Sequence, residues 1–284
     1  MQKINKKLFR KTNNKKNSTY TLIGEKMNKY LRVFGILSIL CFSFYYTEKI
    51  ALFMQKKDPI YETILSLKDD YEVESVNATI NEEYIIPGVI GKEVNVEESF
   101  RSMKYLGAFS ESNLVFNEIV PEVSISQNKD KIIAQGNKIH QAVALITKDE
   151  QIVTYLEEMG IPYAVLTTKE TVNYKREHGV KINYDFTNYD EVENLLKKQK
   201  ENNDLCYITE NHKDFCKQKN KTLIEETFIL SKSNFPSRYN QVNSGSIVYL
   251  EDNLGINYLK VLLDQIRYKG LESVSISSLI SESN

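Results

Sequence analysis

The chain has no tryptophan, and among its 284 residues there are only three histidines (His140, His178, His212) and three cysteines (Cys41, Cys206, Cys216). Each shortage excludes something. No Cys-x-x-Cys occurs, which argues against a structural zinc site built on thiolates. Three histidines standing singly in loop-like stretches read as solvent-facing side chains, not as a metal centre. Ser244-Gly245-Ser246 lacks the Gly-x-Ser-x-Gly pattern of a nucleophile elbow, and no glycine-rich phosphate loop is present. The missing tryptophan, alongside abundant Asn, Lys and Ile, points to an A+T-rich genome and not to a function.

Positive charge is outnumbered over most of the chain. Residues 1–54 carry eleven Lys/Arg against Glu25 and Glu48, a balance of +9, which leaves −10 on the rest of a molecule whose net charge is −1. An acidic body argues against a nucleic-acid partner, because phosphate binding needs clustered cations. At 41% hydrophobic and 26% charged residues, the composition is that of a folded protein with room for one good-sized domain plus appendages.

Uncharged residues Val33–Tyr46 follow the basic start. Fourteen helical residues span about 21 Å, short of a hydrocarbon core of about 30 Å. Leu31, Thr47, snorkelling Arg32 and Lys49, and the apolar Ile50–Met54 make up the difference. Residues 30–54 are therefore expected to be a single transmembrane signal-anchor. The cationic side, residues 1–29, is then a cytoplasmic tail, and everything after about residue 55 is extracytoplasmic. The runner-up, a cleaved signal peptide, lacks an Ala-x-Ala site after the run. Met27 is an alternative start, since Met27-Asn28-Lys29-Tyr30-Leu31-Arg32 and the run have the proportions of a complete signal-anchor. Outside the membrane, Cys206 and Cys216 stand ten positions apart; a disulfide and two unpaired thiols are both open to them.

Residues 55–139 read as a stalk and accessory region. A turn is expected at Pro87-Gly88, a strand over Glu93–Val96, a short helix over Glu97–Tyr105, and extended segments over Val115–Val120 and Val123–Ser126. From residue 140 strands and helices alternate. Apolar runs fall at Ala142–Ile146, Ile161–Leu166, Lys181–Phe186, Leu205–Ile208, Leu223–Leu230, Ser246–Leu250 and Ser273–Ile276. Helical patterns fall at Glu150–Met159, Tyr189–Lys200, Lys213–Lys219 and Asn257–Tyr268, with Gly160 and Gly270 placed to end helices. Such alternation predicts an α/β fold with a parallel sheet or barrel over residues 140–284.

Three stretches carry a family resemblance: Ala142–Asp149, Gly160–Leu166, and Ser244–Asp252 followed by a helix and Lys269-Gly270-Leu271. They resemble the NodB-type polysaccharide deacetylases, and Pro87–Lys92, Ser99–Lys104 and Gly136-Asn137 in order resemble the region that precedes this domain in membrane-anchored Gram-positive proteins of the kind. The resemblance implies a distorted, trimmed (β/α)7-type barrel preceded by one transmembrane helix and a small N-terminal extracytoplasmic region. It also implies where chemistry would sit, at the C-terminal strand ends.

That chemistry needs an Asp base, an Asp-His-His metal site and a late His acid. The base position is Lys148 and the metal-Asp position is Asp149. The two-histidine stretch around Arg176–Tyr184 holds His178 alone. No Arg-x-Pro occurs near Leu205–Ile208, and the late acid position is Glu251. The expectation is a catalytically inactive relative, binding cell-envelope glycan or an envelope protein, with no catalytic residues, no metal and no cofactor. Asp149, Asp252 and His178 remain as candidate ligand residues. Asp149, Glu251 and Asp252 converging as a new acidic pair, with zinc if active, would suit a divergent carbohydrate deacetylase or hydrolase. A structural interaction module in envelope assembly is the third reading. The 18 tyrosines, among them Tyr184, Tyr207 and Tyr249, offer sugar-stacking faces if they reach the mouth and packing residues otherwise.

Overall fold

The computed structural model describes residues 31–47, 49–201, 204–209 and 212–283. The expected cytoplasmic tail and the start at Met27 lie outside these residues. The chain divides into two compact units, one of residues up to 68 with 96–115, the other of 69–95 with 116–284.

In the first unit, α1 (Leu31–Lys56) is long and apolar enough to cross a membrane. A turn at Lys57–Asp58 ends it, and α2 (Pro59–Tyr71) begins at once. Asp58 accepts from the Ile60 N–H at 2.9 Å and Pro59 occupies the first turn, where its missing N–H costs nothing. Helix α3 (Val96–Lys104) buries Phe100 and Met103, and the Phe100 ring meets Tyr61 of α2 edge-on at 5.7 Å.

The second unit opens with an antiparallel hairpin, β1 (Thr79–Asn81) and β2 (Tyr84–Ile86). Its turn is at Glu82-Glu83, with Glu82 at φ 47°, not at Pro87-Gly88. Gly88 serves a different need: a Cβ there would lie 2.4 Å from the Val76 carbonyl oxygen. Strands β3 (Gly91–Val94) and β4 (Phe116–Ile119) pair as an antiparallel ribbon. The segment expected to be extended at Val123–Ser126 ends in a 3-10 turn, Ile125–Gln127. Then follow β5 (Ile132–Ile133), β6 (Ala142–Thr147), α4 (Glu150–Glu158), β7 (Tyr163–Thr167) and β8 (Gly179–Asn183). The chain continues through α5 (Tyr189–Lys198), β9 (Leu205–Tyr207), α6 (Lys213–Gln218), β10 (Thr222–Ile224) and β11 (Phe228–Leu230). It closes with α7 (Phe235–Arg238), β12 (Ile247–Leu250), α8 (Ile256–Tyr268), β13 (Glu272–Ser273) and α9 (Ile276–Ile280).

The strands form two largely parallel sheets, β1-β2-β5-β10-β9 and β11-β12-β6-β7-β8, with β13 added beside β6. Ile85, Ile133, Leu205, Tyr207 and Ile224 from the first sheet share one interior with Ala142, Ala144, Ile146, Ala164, Leu166, Ile182 and Ile247 from the second. On β6 the alternate residues Val143 and Leu145 face outward, into a second apolar layer with Ile152, Val153 and Leu156 of α4 and Leu259, Leu262, Leu263 and Ile266 of α8. Burial on both faces explains why β6 is an unbroken apolar run. Gly160, at φ 64°, ends the helical segment as expected.

Two expectations change. The apolar run Leu223–Leu230 is two strands: β10 pairs with β5 and β9 in one sheet, and β11 pairs with β12 in the other. Thr227 marks the crossing, donating its hydroxyl to the Ala134 carbonyl at 2.5 Å and its N–H to Ile247 at 2.7 Å. The last run is a two-residue strand, and Ile276 already belongs to α9, whose Ile276, Leu279 and Ile280 fill the interior. Strands β2 and β5, which precede residue 140, belong to the same sheet as β9 and β10. Cys206 and Cys216 are joined as a disulfide between β9 and α6, both sulfurs buried with Tyr189 and Leu223.

Candidate functional site

The C-terminal ends of β6, β7, β8, β9 and β12 open at one end of this unit. Thr147, the last residue of β6, ties that end together. Its hydroxyl donates to the Leu250 carbonyl of β12 at 3.1 Å and accepts from the Asp149 N–H at 3.1 Å.

Asp149 is the N-cap of α4. One carboxylate oxygen accepts from the N–H groups of Gln151 (2.8 Å) and Ile152 (3.4 Å), and the other accepts from the Asn253 N–H (3.3 Å). A carboxylate so placed satisfies donors the helix cannot and sits at the positive end of its dipole. Both oxygens are thereby turned toward backbone N–H groups. Lys148 projects from the same strand end and pairs with Asp252 at 3.2 Å, each side chain about half exposed (47% and 44%). The other Asp252 oxygen is buried with no hydrogen-bond partner. Glu251 is exposed, its N–H bound to the Leu230 carbonyl at 3.0 Å.

Asp149 and Asp252 are therefore neighbours, bridged by the loop that carries Asn253, whereas His178 is elsewhere. It immediately precedes β8, and Gly179 pairs with Tyr163 at the start of β7, while Thr147 pairs with Val165 toward the other end. His178 is exposed at the N-terminal end of the strands and shares no site with the two aspartates. Among the described residues no group of three or more His, Cys, Asp or Glu is placed to hold a metal ion. With Asp149 committed to helix capping and a cation at 148, the strand ends do not fit a catalytic zinc.

An aromatic row crosses the same end. Tyr249 of β12 stacks on Tyr207 of β9 at 5.8 Å, Tyr207 meets Tyr184 at 5.9 Å, and Tyr184 meets Phe186 at 5.4 Å. Phe186 in turn stacks flat on His212 at 3.6 Å, and the Thr209 hydroxyl holds the His212 ring through Nδ1 at 2.6 Å. Tyr207 donates its phenol to Glu226 at 2.6 Å. Burial, and then the adjacent Glu226 carboxylate, hold the Tyr207 phenol above its ordinary range. Burial also raises Tyr249, with the negative charge of Asp252 adding to it. Both phenols stay neutral donors at physiological pH and supply no base.

Neither Glu226 nor Phe186 stands out in the sequence as a site residue, and His212, expected to face solvent, instead packs on Phe186. Glu225-Glu226 interrupts the apolar run at 223–230, and that pair of carboxylates was the available signal for a strand end at the mouth. Beside Asp149 lies a pocket of about 170 Å³ lined by Glu150, Gln151, Asn253, Gly255 and Ile256. That is below the roughly 300–1,000 Å³ of most small-molecule sites.

Two sheets around one interior, with loops gathered at the C-terminal strand ends, resemble the NodB-type deacetylase-like fold. No family model matches the chain. It is similar to YlxY, an uncharacterized protein of Bacillus subtilis (strain 168), at 36% identity over 104 residues, 36% of this chain and 33% of that protein. The match thus spans about a third of that relative. Among solved structures it is similar to BA3943, a CE4 family pseudoenzyme from Bacillus anthracis, with a TM-score of 0.55 at 17% identity over 80% of this chain and 97% of that one. A mutant of BA3943 with restored enzymatic activity gives a TM-score of 0.54 at 16% identity, over 79% and 99% of the two chains. At these identities the likeness establishes the fold alone, an α/β fold with parallel sheets resembling that of the CE4 family.

Proposed function

We propose that this chain is a membrane-anchored, extracytoplasmic deacetylase-like protein that holds cell-envelope glycan at the mouth of its strands without cleaving it. The observation that carries this reading is the pair Lys148 and Asp149: the one ion-paired to Asp252, the other capping α4 with both oxygens. A deacetylase needs that place for a base and a metal ligand. The half-buried rings of Tyr249, Tyr184 and Phe186, packed around the buried Tyr207, support the glycan half, because sugar rings present C–H faces that pack on aromatic surfaces. The apolar helix α1, after a basic start, supports anchorage and orientation.

The test uses the full chain in detergent. Zinc content, acetate release from acetylated chitooligosaccharide and peptidoglycan, and binding of the same ligands are measured together. The expected result is binding that weakens in Tyr249→Ala, with no turnover and no stoichiometric zinc. Stoichiometric zinc, with turnover abolished by Asp149→Ala, would overturn it.

A further inference from the structure

Among the described residues outside α1, the turn after α3 carries the most exposed large apolar side chain, Tyr105. Tyr105 is 96% and Leu106 60% exposed, yet the turn is ordered: the N–H groups of Leu106 and Gly107 both reach the Met103 carbonyl, at 2.9 and 3.2 Å. Its direction follows from two contacts. One residue beyond the end of α2, Glu72 accepts from the Val94 N–H at 3.1 Å, just before α3 begins. Near the start of α2, Tyr61 meets Phe100. Helix α3 therefore runs back along α2 toward its beginning. From Phe100 to Lys104 the helix advances about 6 Å, and from Tyr61 back to Pro59 about 3 Å. The turn after α3 is thus carried past the first residue of α2, toward the Lys57–Asp58 turn that follows α1.

Charge is graded the same way. The first turn of α3 holds Glu97 and Glu98, and its last turn holds Arg101 and Lys104, with Arg101 paired to Glu98 at 2.9 Å and Lys104 over the Phe100 ring. Lys56 ends α1 and Lys57 follows in the turn that leads to α2, resting on the Phe53 ring at 4.6 Å. Cations beside an exposed Tyr-Leu pair are the composition that settles at the boundary between headgroups and acyl chains, above all with anionic lipid.

We propose that Tyr105 and Leu106 dip into the outer boundary of the bilayer that α1 spans, a second membrane contact made by the stalk itself. This rests on the anchoring reading above. The absence of tryptophan makes the test direct, since one introduced indole is the only one. Tyr105→Trp, Leu106→Trp, Phe44→Trp within α1 and Tyr268→Trp on α8 are each reconstituted, full length, in phosphatidylcholine/phosphatidylglycerol vesicles with or without bromine on the upper acyl carbons.

The expected result is blue-shifted emission and quenching by bromolipid at positions 44, 105 and 106, with none at 268. Quenching at 44 with solvent-like emission at 105 and 106 would overturn the proposal and leave the anchor standing. So would a blue shift at 105 and 106 without quenching, which would mean that a protein partner or a second copy covers the turn. Absence of quenching at 44 would remove the anchor and the proposal together.

Discussion

Asp149 separates capping from catalysis. Asp149→Ala removes three backbone-to-carboxylate hydrogen bonds, of which the 2.8 Å bond from Gln151 is well formed and those of 3.4 and 3.3 Å are weak. Loss of an N-cap costs about 0.5–2 kcal/mol. A central figure of about 1.5 kcal/mol corresponds to a fall of roughly 3–6 °C in Tm for a unit of this size. Asp149→Asn keeps an amide oxygen for the Gln151 and Ile152 donors and gives up only the Asn253 contact and the charge at the helix end. Its cost is about 0.3–1 kcal/mol. The assay is thermal unfolding of the full chain by circular dichroism, with both variants measured beside the parent. A metal ligand ranks the pair differently, because Asn is a poor substitute for a carboxylate on zinc. Equal, large losses in Ala and Asn, or no loss of stability in Ala, would refute the capping assignment.

Three further outcomes follow from the same geometry. Replacing Cys206 and Cys216 by Ser opens a link between residues ten apart and lowers stability by about 2–3 kcal/mol on the chain-entropy account; a denaturation midpoint unchanged by reductant would contradict the pairing. Lys148→Asp restores a carboxylate at the base position yet yields no acetate release, because His178 lies at the far end of the strands; turnover in that single variant would show a metal site that the described residues do not form. The Tyr207 phenol is raised in the folded state from an ordinary value of 10.0, so its contribution is fully present below pH 10 and is lost as pH rises beyond it. Tyr207→Phe should therefore make the alkaline loss of stability shallower, and an unchanged profile would mean that this phenol ionises freely in the fold.

The parts legible in the sequence are those whose burial is local. Strand β6 is apolar on both faces and reads as a strand unaided. Helices α4, α5 and α8 show a 3.6-residue stripe. What was not legible is decided by partners distant in the chain. Strands β2 and β5 are three and two residues long and exist because the sheet offers them an edge. The run at 223–230 keeps one composition while changing sheets, so no periodicity reports the change. At the mouth the strand-end residues Lys148, Asp149 and Glu251 were legible because position along a strand is a sequence property. His178 was not, because a histidine just before a strand starts at the wrong end, and only the register with β7 reveals it.

The placement of β5 has a consequence for how this protein is made. Ile132 leaves the ribosome well before Leu223, its neighbour in the sheet, and β6 through β9 must be synthesised and arranged before the two can pair. During that interval β1, β2 and β5 are without β10 and β9, and when β10 forms its edge is unpaired until β5 docks. A free edge of this sort is a template for the wrong strand. Fragments begun at residue 140 would carry that open edge permanently, so aggregation, and not loss of a binding residue, is the failure to expect from them.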